Sequence, residues 1–214
     1  EEEGGARRVW ELAAENGLSD LGVSREAFDL LERYVSLLDE WRQRMNLIGP
    51  KEMDHIWTRH ISDCAQLIPL IGHEKRIVDV GSGAGLPGLV LACHAATTGG
   101  HVTMIESTGK KCAFLREVST LLDLPVSVQN VRIESAKAES VDFITARALA
   151  PLPRLLEYTI PWLSQGATGL FFKGVRWQQE LTDAADCWTL SHEAIPSRSS
   201  ETGVILKIEE ARRV

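Results

Sequence analysis

Ile77-Val78-Asp79-Val80-Gly81-Ser82-Gly83-Ala84-Gly85-Leu86-Pro87-Gly88 decides how the chain is read. A short apolar run rich in β-branched residues leads in, glycine follows at alternate positions, and an apolar helix is predicted to begin near Leu89. That pattern is strand, tight turn, helix. Glycine allows positive φ and the close approach of a ligand that any Cβ would block. The following helix aims its unpaired N–H groups and the positive end of its dipole at the same spot. A polar ligand is expected there.

The details of the turn narrow the ligand. A triphosphate loop needs Gly-x-x-x-x-Gly-Lys-Ser/Thr; Gly83 and Gly88 have the spacing, but Leu89 and Val90 hold the Lys and Ser/Thr places. Gly83-x-Gly85-x-x-Gly88 matches the dinucleotide fingerprint by letter. Its register is poor, because Gly81 sits at the strand's end and would require glycine or alanine at Leu86. Asp79 would also face an anionic pyrophosphate, whereas it suits a ligand with a sulfonium and an ammonium, S-adenosylmethionine. The next apolar strand, His101 to Ile105, ends in Glu106, whose carboxylate can accept hydrogen bonds from both ribose hydroxyls.

The turn Asp79 to Gly88, the upstream Asn46-Leu47-Ile48 and Arg59-His60-Ile61-x-Asp63, and the downstream Thr145-Ala146-Arg147-Ala148 and Lys173-Gly174 occur in order. Together they resemble the RsmG (glucose-inhibited division protein B) family, bacterial small-subunit ribosomal RNA methyltransferases acting on a guanine N7. The resemblance implies a cofactor site of Asp79, Gly81, Gly83, Gly85, Leu86 and Glu106, with Ile133 and Glu134 bordering the adenine and Arg147 contacting the cofactor. It also implies that Arg59, His60 and Asp63 stand beside the catalytic pocket. Lys173 joins this set as an RNA or pocket contact. On the residues alone, the favoured reading of Arg59 and Asp63 is a helix-surface ion pair worth roughly 0.3 to 0.5 kcal/mol, and it is the resemblance that moves them to the pocket. Arg147 reads as a partner of Glu106 or Glu134, and Glu134 as a helix-start carboxylate.

From Arg76 onward strands and helices alternate, which predicts a mostly parallel sheet with helices on both faces. Strands are expected near Arg76 to Val80, His101 to Ile105, Val126 to Gln129, Asp142 to Thr145, Gly169 to Phe172, Trp188 to Ala194 and Gly203 to Ile208. The last two form an antiparallel hairpin across the loop from Pro196 to Thr202. The fold class is therefore α/β, the Rossmann-like class I methyltransferase variant with seven strands. Residues 1–72 form a helical cap and 73–214 the S-adenosylmethionine-binding unit. Within the cap, a short helix is expected over Ala6 to Asn16. A second is capped by Ser24 with Phe28, Leu31, Val35 and Leu38 on one stripe, and a third runs from Lys51 to Ile68.

Net charge is −7 and hydrophobic content 44%. RNA contact must therefore come from local basic patches, for which Arg42, Arg44, Lys51, Arg59, Lys110, Lys111, Arg116, Lys173, Arg176 and Arg198 are candidates. No run approaches the roughly 18 apolar residues of a membrane span, so a cytoplasmic protein without membrane contact is expected, acting as a monomer. Its partner is 16S ribosomal RNA or the small ribosomal subunit. Cys64, Cys93, Cys112 and Cys187 are scattered, form no Cys-x-x-Cys pair, and read as small buried hydrophobes rather than ligands. No metal is expected, since His60 and Cys64 lack a third ligand.

None of the four cysteines follows a proline, as a nucleophile for carbon-5 pyrimidine methylation usually does. No Asn/Asp-Pro-Pro-aromatic run follows the fourth strand, so exocyclic amine methylation also loses ground. Guanine N7 needs neither device, because its lone pair is free. Three rivals stand beside this reading: methylation of a small molecule or protein, which the acidic charge suits; an NAD-binding oxidoreductase; and a non-catalytic RNA-binding module.

Overall fold

The computed structural model describes residues 17–214. The helix expected over Ala6 to Asn16 lies outside them. The first helix, α1 (Arg25–Arg42), begins where the sequence places it: Ser24 Oγ accepts the Ala27 N–H at 3.1 Å, satisfying one of the free donors of the first turn. Phe28, Leu31, Val35 and Leu38 are all buried. Ser24→Ala is expected to cost about 1 kcal/mol, read as a lower urea midpoint with an unchanged slope.

The single helix expected from Lys51 to Ile68 is instead four short pieces. These are α2 (Pro50–Met53), a π-helical turn (Ile56–Ile61), α3 (Ser62–Ala65) and α4 (Ile68–Ile71). In an α-helix Ile56 and Ile61, five apart, would face well away from one another. The wider π turn, closed by the Ser62 N–H on the Trp57 carbonyl, buries both. Arg59 and His60 then lie on the open side.

The strands are β1 (Lys75–Val80), β2 (Gly100–Ile105), β3 (Val126–Gln129), β4 (Phe143–Arg147), β5 (Thr168–Lys173), β6 (Trp188–Pro196) and β7 (Val204–Arg213). Between them run α5 (Gly88–Thr98), α6 (Gly109–Leu121), α7 (Leu152–Leu163) and α8 (Trp177–Ala185). The seven-stranded sheet has the order β3-β2-β1-β4-β5-β7-β6. Strands β1 to β5 pair in parallel, and β7 runs antiparallel to both β5 and β6. Strand β7 continues beyond Ile208, where its apolar pattern stops, because β6 supplies partners as far as Trp188 opposite Arg213.

Alternation along β1 divides the core. Ile77 faces a layer made by α5, part of α6 and the helical segment from Leu18 to Ile71. Val78 and Val80 face α7 and α8. Trp177 packs against this second layer. Cys64, Cys93 and Cys112 are buried as expected, but Cys187 is exposed in the short turn between α8 and β6. After β3 the chain crosses to the far side of β1, so strand order reverses between β1 and β4. Crevices for ligands open at the carboxyl ends of strands at such a point.

Candidate active site

The turn after β1 is shaped by glycines at positive φ: Gly81 at 69°, Gly83 at 55° and Gly85 at 89°. Gly88 opens α5 so close to β1 that a Cβ there would stand 2.6 Å from Asp79 Oδ2 and 3.0 Å from Met104 Sδ. Asp79 itself is buried behind the turn. Its Oδ1 accepts the Thr145 hydroxyl at 2.8 Å, while Oδ2 lacks a well-formed hydrogen bond among the described residues. Burial raises its carboxyl to about 6, against the opposing pull of Ser82, Thr145 and the Gly88 N–H. From the other side, the Tyr34 hydroxyl of α1 donates to the Ala84 carbonyl at 2.7 Å, so the helical segment grips the turn directly.

Beside the turn lies a cavity of about 380 Å³ lined by Gly81, Gly83, Glu106, Ile133 and Glu134, among others. Glu106 is nearly buried, and its two oxygens accept the N–H groups of Gly83 (3.0 Å) and Thr108 (2.7 Å). Ile133 and Glu134 stand on a one-turn helix after β3. Gly85 is buried and Leu86 half-buried against the first core layer; neither lines the cavity. Leu149, Thr108 and Tyr158 do line it, and nothing local in the sequence marks them. Leu149 reaches the cavity from the β4–α7 connection, which folds over Gly81, where an added Cβ would come 2.6 Å from Leu149 Cδ1, and Tyr158 reaches it from α7.

A second cavity, of about 840 Å³, holds Arg59, His60, Asp63 and Arg147 together with Lys51 and the loop after β6. Arg147 organises it. Its guanidinium pairs with Asp63 Oδ2 at 3.4 Å, donates to His60 Nδ1 at 2.9 Å and lies 5.9 Å from the Phe172 ring centroid. Asp63 Oδ1 meanwhile accepts the hydroxyls of Ser197 and Ser199 and the side-chain amide of Gln66. The partner of Asp63 is thus Arg147, not Arg59, because the π turn rotates position 59 away from position 63. Nor is Arg147 paired with Glu106 or Glu134; it stands in the second cavity, while the next residue, Ala148, lines the first. Consecutive residues of one strand end thus line the two cavities.

Lys173 shares a smaller cavity with Asp63 and Arg147, but its ammonium is engaged elsewhere. Its buried ammonium donates to the Ala150 carbonyl at 2.7 Å and pairs with Glu180 at 2.8 Å, and Glu180 also accepts the Leu152 N–H. The pair anchors the loop that follows Arg147. Among the described residues no His, Cys, Asp and Glu side chains cluster as a metal site, and no helix is long and apolar enough to cross a membrane.

The strand order, the glycine turn and the acidic end of β2 define a Rossmann-like class I methyltransferase. Solved structures agree on the fold: a mutant of MtNAS in complex with S-adenosylmethionine superposes with a TM-score of 0.59 at 17% identity, over 88% of this chain and 77% of that one. The ribosomal protein L11 methylase of Lactobacillus delbrueckii subsp. bulgaricus superposes at 0.57 and 16% identity, over 72% and 79%. At the level of sequence, residues 27–204 match the family described as rRNA small subunit methyltransferase G. The protein of that name from Hyphomonas neptunium is 55% identical over 89% of this chain and 91% of its own, and that from Gluconobacter oxydans 47% identical over 90% and 98%. The chain belongs to the rRNA small subunit methyltransferase G family.

Proposed function

We propose that the chain binds S-adenosylmethionine in the cavity beside the glycine turn and methylates N7 of one guanine of 16S ribosomal RNA held in the larger cavity. The observation that carries this reading is that consecutive residues, Ala148 and Arg147, line the two cavities, beside a turn whose glycines leave room for a ligand and behind which the Asp79 carboxylate is buried.

When bound, S-adenosylmethionine supplies a methyl group on a sulfonium. The chain supplies everything else by position. Asp79 offers negative charge behind the turn, Glu106 has lone pairs left for the ribose, and Ile133 and Glu134 edge the adenine. Guanine N7 is unprotonated near neutral pH and attacks without a general base, so the remaining tasks are to hold the two reactants in line and to keep water out. The target base is turned out of its stack to reach the site. In this reading Arg147 sits at the boundary, within reach of both molecules, with its charge balanced by Asp63. Cytoplasmic location follows from the ribosomal substrate.

Asp79 gives the reading a pH signature. A cationic ligand favours the ionised carboxylate, whereas in the free protein burial holds the group at about 6. Binding below that pH must expel a proton. Affinity for S-adenosylmethionine is therefore full above pH 6 and declines as pH falls below it, approaching tenfold per unit. Calorimetry in buffers of different ionisation enthalpy reads the released proton directly, and Asp79→Asn removes the dependence.

The function is tested by transfer of labelled methyl to small-subunit RNA, as naked RNA and as intact subunits, from cells lacking the corresponding gene. Borohydride and aniline cleavage then locates N7-methylguanine. One new cleavage site is expected. Label without cleavage would refute N7, and no label on either substrate would favour a small-molecule methyltransferase.

A further inference from the structure

Arginine has donors only, so the 2.9 Å contact between Arg147 Nη1 and His60 Nδ1 runs one way: the guanidinium donates and Nδ1 accepts. A ring nitrogen that accepts carries no proton. The single proton of the neutral imidazole therefore sits on Nε2. Nε2 has no hydrogen-bond partner among the described residues and is not sealed from solvent, while the half-buried ring lines the larger cavity. The tautomer is held in tiers. His60 is fixed by Arg147, Arg147 by Asp63, and Asp63 by Ser197 and Ser199 across the sheet edge.

On the edge that carries N7, guanine presents two acceptors, N7 and O6, where adenine presents N7 and an amino donor. A donor fixed opposite O6 is matched by guanine, and it would face the amino group of adenine with another N–H. The same donor placed on N7 would occupy the lone pair that must attack. Resting on the N7 reading above, we propose that His60 Nε2–H reads O6 of the target guanine. His60 is then the residue that selects guanine over adenine, and Arg147 and Asp63 are positioning residues that fix its tautomer.

The electrostatics agree. Burial and then the Arg147 charge depress the His60 pKa, reinforced by Arg59 and opposed by Glu52 and Asp63. A neutral donor is what the reaction requires, because methylation leaves positive charge on the guanine ring and an imidazolium beside it would repel that charge.

The test is single-turnover methyl transfer at saturating S-adenosylmethionine to ligated small-subunit RNA carrying guanine, inosine or 2-aminopurine at the mapped position. Inosine keeps O6; 2-aminopurine keeps N7 and lacks O6. Wild type is expected to accept inosine and to lose roughly tenfold or more in kcat/KM with 2-aminopurine. His60→Ala is expected to lose a similar factor on guanine and then to show no further loss with 2-aminopurine. His60→Gln, which can present an amide N–H near the Nε2 position, should recover part of the guanine rate. Calorimetric affinity for S-adenosylmethionine and cooperative unfolding establish that each variant is folded and loaded. If His60→Ala keeps the full wild-type preference for guanine over 2-aminopurine, the assignment is overturned. Wild type that transfers no methyl to the guanine RNA or to intact subunits would defeat the N7 reading, a result separable from failure of the His60 assignment.

Discussion

Lys173→Met is expected to destabilise the protein by about 3 kcal/mol or more, because it leaves a largely buried carboxylate without its counter-ion. The two side chains retain only 6% and 18% of their exposure, and their contact at 2.8 Å is backed by the Ala150 carbonyl. Removing both charges is a different experiment. The double variant Lys173→Met with Glu180→Gln should recover most of the loss, since no unpaired charge remains. Urea unfolding of the two variants checks both statements. The pair also sets the course of residues 148–151, of which Ala148 and Leu149 line the first cavity, so the single variant should methylate more slowly even per folded molecule. Were Lys173 instead a phosphate contact, as its place in the sequence also suggests, the substitution would leave the urea midpoint alone and flatten the salt dependence of RNA binding.

The second large effect falls on Glu106. Its carboxylate already accepts two backbone N–H groups, one of them from Gly83 inside the cofactor turn. Its remaining lone pairs are the ones proposed for the ribose hydroxyls. Hydrogen bonds to a charged group contribute about 1.5–3 kcal/mol each, so losing two should weaken S-adenosylmethionine binding by roughly 100-fold or more. Glu106→Ala is the direct variant. Glu106→Gln is nearly isosteric, but it turns an amide N–H toward a backbone donor at Gly83 or Thr108 and should be only slightly better. Calorimetry decides. An affinity within about threefold of wild type for Glu106→Ala would mean that the ribose is held by other groups.

Much of the fold was legible because its signals are local. The central strands β1, β2, β4 and β5 are short, largely apolar runs, the glycine turn needs backbone freedom that few other residues provide, and Ser24 announces the start of α1. Legibility failed where the controlling contact is distant or the backbone irregular. Nothing near position 56 says that the chain will take a π turn; the cause is the joint burial of Ile56 and Ile61 against partners elsewhere in the sequence. Arg59, His60, Asp63 and Arg147 could be named from their motifs, yet the pairing of Asp63 with Arg147 is settled by the sheet, which brings β4 against the helical segment. The same holds for Tyr34 on the Ala84 carbonyl and Lys173 on Glu180. Leu149 and Tyr158 were missed altogether because neither a residue of a connection nor one member of a helix face carries a local mark of the cavity that it borders.

The strand order has a consequence for how the molecule is made. Strand β6 pairs only with β7, and β7 alone joins it to β5. A chain emerging from the ribosome delivers β6 first, with no neighbour to receive it. The Asp63 carboxylate likewise waits for Ser197 and Ser199, which lie in the connection between those two strands. The first five strands can assemble in the order of synthesis, but this flank closes only when β7 arrives and slides between its neighbours. A growing chain that stalls ahead of Val204 therefore forfeits two strands, and with them the serines that steady the larger cavity.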